Sequence, residues 1–401
     1  MSIIGESTSD VFSLASSKEH CFDVSMLNGL CESDFRLWTE RWINGRTALV
    51  ITTPTVERIY GTVLRAQFGS LSPIPTWYVL HCNEASKTLE NVETVCKAAM
   101  ENGIGRTGVL VAVGGGVCCD IVTLAASMLR RGIAHVRLPT TLIGQIDAGV
   151  GLKGGVNFGQ NKNYLGTFFP PDAVAILPTL LATITRDAVK QGMAEMVKIA
   201  CTSDPALFAI IERQAGRFLD SHFQTPKAPA AEAIRRAIAA ILNELRTNPF
   251  ENKTFERGVD FGHTIAHHLE AATSYRLHHG FAVSIDMAFS CVLGWRLGIT
   301  PAELAKRVIG LLVKIGLPIF DDALSRDLIS GSFTGAIEHR GGDINLVIPT
   351  SLGSYVFVKR TEEVGSALTG EAVSWLRQAQ ERIHARSAFA SDFALEPLTA
   401  G

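Results

Sequence analysis

The sequence predicts an α/β domain followed by a mostly α-helical one. Between residues 47 and 180, short apolar runs alternate with stretches of helical spacing. Continuous apolar strands separated by helices are the mark of a parallel sheet covered on both faces. Beyond about residue 180 the spacing is helical nearly throughout. The chain has 401 residues, enough for two or three domain cores.

Taken in order, residues 1–20 are polar and Ser-rich and read as a mobile arm. Ala48-Leu49-Val50-Ile51 reads as a strand, then Thr52-Thr53-Pro54 opens a helical stretch through Tyr60. Trp77-Tyr78-Val79-Leu80 reads as a second strand, and Leu89 to Asn102 as a helix. Gly108 to Val113 is a third strand, closed by Gly114-Gly115-Gly116. A helix over Asp120–Arg131 and a strand over His135–Pro139 follow. Helices are expected over Thr185–Ala215, Ala230–Arg246, His263–Thr273, Gly280–Leu297 and Ala302–Ile315. The expected division is an arm at 1–20, an α/β domain at 21–180, a helical domain at 181–385 and a weakly ordered tail at 386–401. A cleft between two such domains is a usual place for a small ligand.

Composition excludes several classes. The net charge of -2 supplies no field for nucleic acid or an anionic membrane. No secretory signal and no run of about 18 uncharged apolar residues is present. The eight cysteines are scattered without CxxC spacing, so a reduced, cytoplasmic chain is expected rather than a disulfide framework.

Three motifs carry chemistry. Gly114-Gly115-Gly116 lies between a strand and a helix, where bare backbone N–H groups can approach a pyrophosphate; the same glycines also suit a plain turn. Asp120, Thr140 and Thr141 come at strand-to-helix ends, where open sheets bind ligands, and Asp120 equally suits a helix cap. The Gly-rich segment Asp147 to Asn157, continuing to Asn161-Lys162-Asn163, sets Lys153 and Lys162 among amides. Ammonium groups meet phosphate and amides meet hydroxyls, so a phosphorylated polyol fits as well as a solvated loop. Finally, Glu195 and Lys198 are i,i+3 partners, His263 and His267 are i,i+4 partners, and His278-His279 precedes another helix. One carboxylate and two imidazoles make a normal open metal shell, with general acid–base work as the rival role for His267 and His268.

The ordered combination resembles a known family. Gly114 to Asp120, Arg131-Gly132, Leu138-Pro-Thr-Thr141, Asp147, Lys153, Asn157, Lys162-Asn163, Gly192-Met-Ala-Glu195-Met-Val-Lys198, Asp260-Phe-Gly-His263-Thr and His278-His279-Gly280 together resemble the dehydroquinate synthase superfamily of sugar phosphate cyclases. The resemblance spans residues 45–350 or so. It implies a Rossmann-like NAD domain, a helical domain holding zinc or cobalt, a phosphorylated sugar substrate and a homodimer. By position, Glu195, His263 and His279 match the metal ligands. Lys153, Asn157, Lys162, Lys198 and Asp147 match substrate-site positions. Glu84, Lys87, Gly115, Gly116, Asp120, Thr140 and Thr141 match the dinucleotide region, which Asp147, Lys153 and Lys162 adjoin. His267 matches a histidine that contacts phosphate, and Arg340 is placed to reach the same group.

The strings Asn243-Glu-Leu-Arg-Thr-Asn-Pro-Phe-Glu251, Val259-Asp260-Phe-Gly-His-Thr264, Ile285-Asp-Met-Ala288 and His339-Arg-Gly-Gly342 resemble the sedoheptulose 7-phosphate cyclases within that superfamily. Dehydroquinate synthase uses a Lys and an Arg to hold a carboxylate; Leu242 and Glu256 stand at those positions, with Arg257 one residue off and Asp260 replacing Asn. Such a lining suits a neutral polyol end. Many 2-epi-5-epi-valiolone synthases carry Ser-Pro where this chain has Ala266-His267, so 2-epi-valiolone is an alternative product. The implied reaction is a transient oxidation and re-reduction by NAD, loss of inorganic phosphate and an intramolecular aldol closure. The competing readings are a dehydroquinate synthase, a metal-dependent alcohol dehydrogenase of similar plan, and a silent binding protein on the same scaffold.

Overall fold

The computed structural model describes residues 20–159 and 161–385. The expected arm, apart from His20, and the expected tail lie outside the described residues. The first part runs β1 (Asp23–Met26), α1 (Ser33–Trp42), β2 (Ala48–Thr52), α2 (Pro54–Phe68), β3 (Thr76–Val79), α3 (Leu89–Glu101), β4 (Val109–Gly114), α4 (Gly116–Met128) and β5 (Ala134–Pro139). A hairpin of β6 (Lys153–Phe158) and β7 (Asn161–Phe168) follows, then β8 (Ala173–Ile176). The second part holds α5 (Arg186–Ser203), α6 (Pro205–Ser221), α7 (Lys227–Thr247), α8 (Ala266–Ala272), α9 (His279–Arg296), α10 (Ala302–Ile315) and α11 (Arg326–His339). A second hairpin, β9 (Leu346–Ser351) and β10 (Ser354–Val358), precedes α12 (Thr361–Val364) and α13 (Ser366–Ala385).

The six-stranded sheet has the order β1-β8-β5-β4-β2-β3 and every pairing in it is parallel. Period-2 alternation feeds both faces. β4 sends Val109, Val111 and Val113 to one apolar layer and Leu110 and Ala112 to the other. The chain leaves β2 toward β3 on one side and returns as β4 on the other. Open parallel sheets bind ligands at such a reversal, beyond the carboxyl ends of the strands. The helical part shares a core with the sheet: Val174, Ile176, Leu142 and Ile146 pack with Met193, Val197 and Ala282.

Several expectations need correction. The helix expected over Thr185–Ala215 is two helices. Asp204 Oδ1 accepts from the Ala206 and Leu207 N–H groups (2.9 and 3.0 Å), and Pro205 takes the first position of α6. The Gly-rich segment from Asp147 is not a loop: Asp147 lies in a wide turn over Gly144–Ala148, where the Gly149 N–H donates to the Gly144 carbonyl five residues back at 2.9 Å, and an antiparallel hairpin starts at Lys153. α4 starts at Gly116, so Asp120 lies inside it and caps nothing. α8 starts at Ala266, so His263 precedes that helix and the i,i+4 face with His267 is not what brings them together. β1, β8, α1, α11, α13 and the β9–β10 hairpin had no counterpart in the sequence reading.

Candidate active site

α5 is a long buried helix, and Glu195 and Lys198 sit on its inner face with 1% and 3% exposure. Two loops bring imidazoles to Glu195. The first turns at Gly262, whose φ of +77° suits glycine and whose added Cβ would meet Met287 Cγ at 2.7 Å. This turn delivers His263, and the His263 Nδ1 lies 3.2 Å from the Phe261 carbonyl. The second is the start of α9. There the Gly280 position lies so close to α5 that a Cβ would meet Gln191 Cα at 2.4 Å. That close approach places His279 against Glu195.

The Nε2 atoms of His279 and His263 lie 3.2 and 3.8 Å from Glu195 Oε1. The His263 contact is too long for a hydrogen bond and the His279 contact does not make one, so Oε1 is a buried carboxylate oxygen without a hydrogen-bond partner. Such an atom calls for an explanation, and an ion is one. One ligand atom from each of Glu195, His263 and His279 falls within 4.8 Å of the others. The donor set, one carboxylate oxygen and two imidazole nitrogens, suits zinc or cobalt. Burial opposes charge on Glu195, but Lys198 and His263 outweigh it and hold the carboxyl well below its usual range. Burial likewise opposes charge on Lys198, whose Nζ lies 2.9 Å from Asp147 Oδ2 and 2.7 Å from Glu195 Oε2; these two carboxylates raise its pKa.

A second layer surrounds this centre. Glu270, on α8 and 2% exposed, was missed in the sequence. Its Oε2 accepts from Nδ1 of both His279 and His267 at 3.1 Å each, and its Oε1 accepts from Lys162 Nζ at 2.6 Å. The available signal was its i,i+3 spacing from His267. The His267 ring stacks on His279, with centroids 5.7 Å apart. Lys162 also lies 3.9 Å from Glu84 Oε1, and Asn157 Nδ2 donates to Glu84 Oε1 at 3.1 Å. Lys153 pairs with Glu251 at 2.5 Å. Asp260 is gripped by Arg257 (2.6 Å) and approached by Arg340 at 3.7 Å. Arg340 also donates to the Ile344 carbonyl at 2.9 Å. Arg257 is further paired with Glu251.

A separate cleft of about 550 Å³ opens at the carboxyl ends of β2, β3 and β4. Gly115, Gly116 and Thr141 line it, joined by Thr53, His81 and Asn83. The glycines leave room that side chains would fill: a Cβ on Gly115 would stand 3.2 Å from Thr141 Cγ2, and one on Gly116 3.3 Å from Ala148 Cβ. α4 starts here, so its free N–H groups face the cleft, as a pyrophosphate requires. Thr140 donates its N–H to the Gly114 carbonyl at 2.9 Å. Lys87 and Asp120 stand behind this wall, paired at 2.5 Å, with Lys87 also 2.5 Å from Asn163 Oδ1.

The models of the N-terminal and C-terminal parts of 3-dehydroquinate synthase match residues 77–191 and 192–332. This chain belongs to the 3-dehydroquinate synthase family. Within and around that family it is 40% identical to 2-epi-5-epi-valiolone synthase of Streptomyces glaucescens over 338 residues, covering 84% of this chain and 86% of that one. It is 31% identical to 2-epi-valiolone synthase of Actinosynnema mirum over 334 residues, 81% and 86% of the two chains. The solved 2-epi-5-epi-valiolone synthase of Streptomyces hygroscopicus subsp. jinggangensis 5008, with NAD+ and Zn2+ bound, superposes with a TM-score of 0.85 at 33% identity; the match covers 91% of this chain and 99% of that one. An iron-containing alcohol dehydrogenase of Thermotoga maritima shares the fold alone, at TM-score 0.62 and 14% identity, over 88% of this chain and 98% of that one.

Proposed function

We propose that this protein is a sedoheptulose 7-phosphate cyclase that makes a valiolone-type C7 cyclitol and releases inorganic phosphate. The observation that carries this reading is Glu195 Oε1, buried without a hydrogen-bond partner and facing two imidazole Nε2 atoms beside Lys198. The relatives named 2-epi-5-epi-valiolone synthase and 2-epi-valiolone synthase support it. Residues 21–180 would hold NAD across the Gly115–Thr141 cleft, and residues 181–385 would hold zinc or cobalt on Glu195, His263 and His279. When bound, NAD supplies a reversible hydride acceptor and the metal a Lewis acid at a substrate oxygen.

The chain's own groups do the rest. Lys198, kept cationic by Asp147 and Glu195, offers an N–H donor to a substrate oxygen. Lys162 and His267 bring a cation and an imidazole to the phosphate end. His267 donates through Nδ1 to Glu270, so its Nε2 is free to take up or pass on a proton. Asn157 and Arg340 frame the remaining hydroxyls. A carboxylate substrate is disfavoured, because Arg257 is already neutralised by Asp260 and Glu251. Glu256 is no substitute, since it pairs with Lys359 at the surface. The atoms balance as sugar phosphate to cyclitol plus phosphate, with NAD regenerated.

The family resemblance further supports a homodimer, and eight free thiols suit a reducing compartment. None of the described helices is long and apolar enough to cross a membrane. The test is to incubate metal-loaded protein and NAD with sedoheptulose 7-phosphate, following phosphate and NADH. Phosphate release without net NADH is expected, and NMR of the product then assigns its stereochemistry. Stoichiometric NADH without phosphate would point to a dehydrogenase. Turnover of the dehydroquinate synthase substrate alone would overturn the choice of sugar.

A further inference from the structure

Glu270 enters the reaction outlined above only as the acceptor for His267, yet three groups of the site converge on it. It is 2% exposed, and its two oxygens are shared between a metal-site imidazole, the stacked imidazole beside it and a substrate-site lysine. We propose that Glu270 is the positioning residue of this centre: it fixes both His279 and His267 as Nδ1–H tautomers. That leaves each ring's Nε2 as a free lone pair, while the second carboxylate oxygen holds Lys162 across the site. The inference rests on the metal reading of Glu195, His263 and His279.

The geometry supports this in detail. An imidazole that donates Nδ1–H to a carboxylate is more basic at Nε2 and is locked in rotation about its ring axis. His279 satisfies both conditions, since Nδ1 meets Glu270 at 3.1 Å while Nε2 meets Glu195 at 3.2 Å. His263 reaches the same state by another route, through the Phe261 carbonyl at 3.2 Å. The two imidazoles are therefore oriented by a charged and a neutral acceptor respectively, and Glu270 is the only charged one. Its burial makes the pairing strong, because little water competes for its oxygens. One oxygen, Oε2, receives both Nδ1–H groups. The orientation of His267 is thereby tied to that of His279, and the stacked rings at 8° express that link.

His267, Glu270 and His279 also form a second group whose ligand atoms lie within 4.8 Å of one another. An ion there would use the two Nδ1 atoms and compete with the positioning role, so the experiment must separate the two.

The test measures zinc and cobalt dissociation constants on metal-stripped, full-length protein by competition with a chromophoric chelator. It is paired with visible spectra of the cobalt form and melting of the metal-free form. Glu270→Gln keeps the shape and removes the charge. It should weaken metal binding about 10–100-fold and shift the cobalt bands, with the metal-free melting point near wild type. Glu270→Asp, which withdraws the carboxylate by one methylene, is read in the same way if the Gln variant does not fold. Wild-type affinity and cobalt bands in the folded variant would overturn the inference, even if melting falls. Glu195→Ala tests the underlying reading separately and should abolish tight binding. If Glu195→Ala keeps tight binding while Glu270→Gln loses it, the ion sits on the second group and both readings fail.

Discussion

Lys198 sits between two carboxylates, the fully buried Glu195 and the partly exposed Asp147. Its Nζ bridges Asp147 Oδ2 and Glu195 Oε2 with 4% of the side chain exposed. Removing the partner of a buried charge costs about 3–5 kcal/mol, and Glu195 is the buried charge that Lys198 would leave behind. Lys198→Met should therefore lower the unfolding free energy of the metal-free protein by about that amount in urea melts. Bound zinc should restore part of the loss, since the ion neutralises Glu195 in place of the ammonium. The spacing of Glu195 and Lys198 was legible in the sequence, because an i,i+3 pair needs only the helix. Their partner Asp147 was legible only as a motif residue, since it reaches Lys198 from a wide turn 51 positions upstream. Glu270 was not legible as part of the site. Its spacing from His267 pairs it with one imidazole on α8, but only the packing of α8 against α9 and the β6–β7 hairpin brings His279 and Lys162 to it.

At the scale of elements, the site depends on how α8 and α9 are docked. α8 has Ile265 before it, with no side-chain acceptor for its first N–H groups. Asp286 of α9 supplies one, accepting from Ile265 and Ala266 at 2.6 and 3.1 Å. Burial lifts the Asp286 carboxyl from 3.8 to about 6, against the lowering effect of these hydrogen bonds. A raised carboxyl contributes stability that is complete below 3.8 and is lost as pH rises through about 6. Wild type should therefore lose roughly 3 kcal/mol relative to Asp286→Asn between those pH values, read by urea melts at several pH values.

The second docking point is Gly280. An alanine there would drive its Cβ into the Gln191 backbone, with Cα at 2.4 Å and the carbonyl oxygen at 2.7 Å. Gly280→Ala should push the start of α9 off α5, lower the melting temperature and weaken metal binding through displaced His279. Retained wild-type metal affinity would show that the contact does not set the site. The His278-His279-Gly280 string was visible in the sequence. The reason for its glycine, a backbone-to-backbone approach between two helices, was not. The hairpin of β6 and β7 was likewise hidden, because its glycines and amides carry the same signal as a loop.

At the scale of the whole molecule, the sheet offers a glycine-walled cleft while the helical part carries Glu195, His263 and His279, the proposed metal ligands. A shared core ties the two, through Val174 and Ile176 on one side and Met193 and Val197 on the other. NAD binding to the cleft should therefore stabilise the whole chain, not only the sheet. NAD at a hundred times its dissociation constant adds about 2.7 kcal/mol, which a melting curve resolves as a rise in the main transition. A low-temperature transition that NAD alone moves would show that the two parts unfold separately.

The sequence by itself determined the alternation of strands and helices, the glycine-rich turn after β4, and which carboxylate and imidazoles are the candidates for the site. These depend on periodicity and on residue chemistry, which are local. The tertiary structure alone decided which two imidazole nitrogens face Glu195, that Arg257 is consumed by Asp260 and Glu251, and that Glu270 joins three groups of the site. The contacts of Glu195 with the two imidazoles and of Glu270 with Lys162 join segments far apart in the chain, and the Arg257 pairs, though close in sequence, depend on how the turn between α7 and α8 folds. Such contacts follow from how whole faces pack, and packing leaves no periodic trace in the sequence.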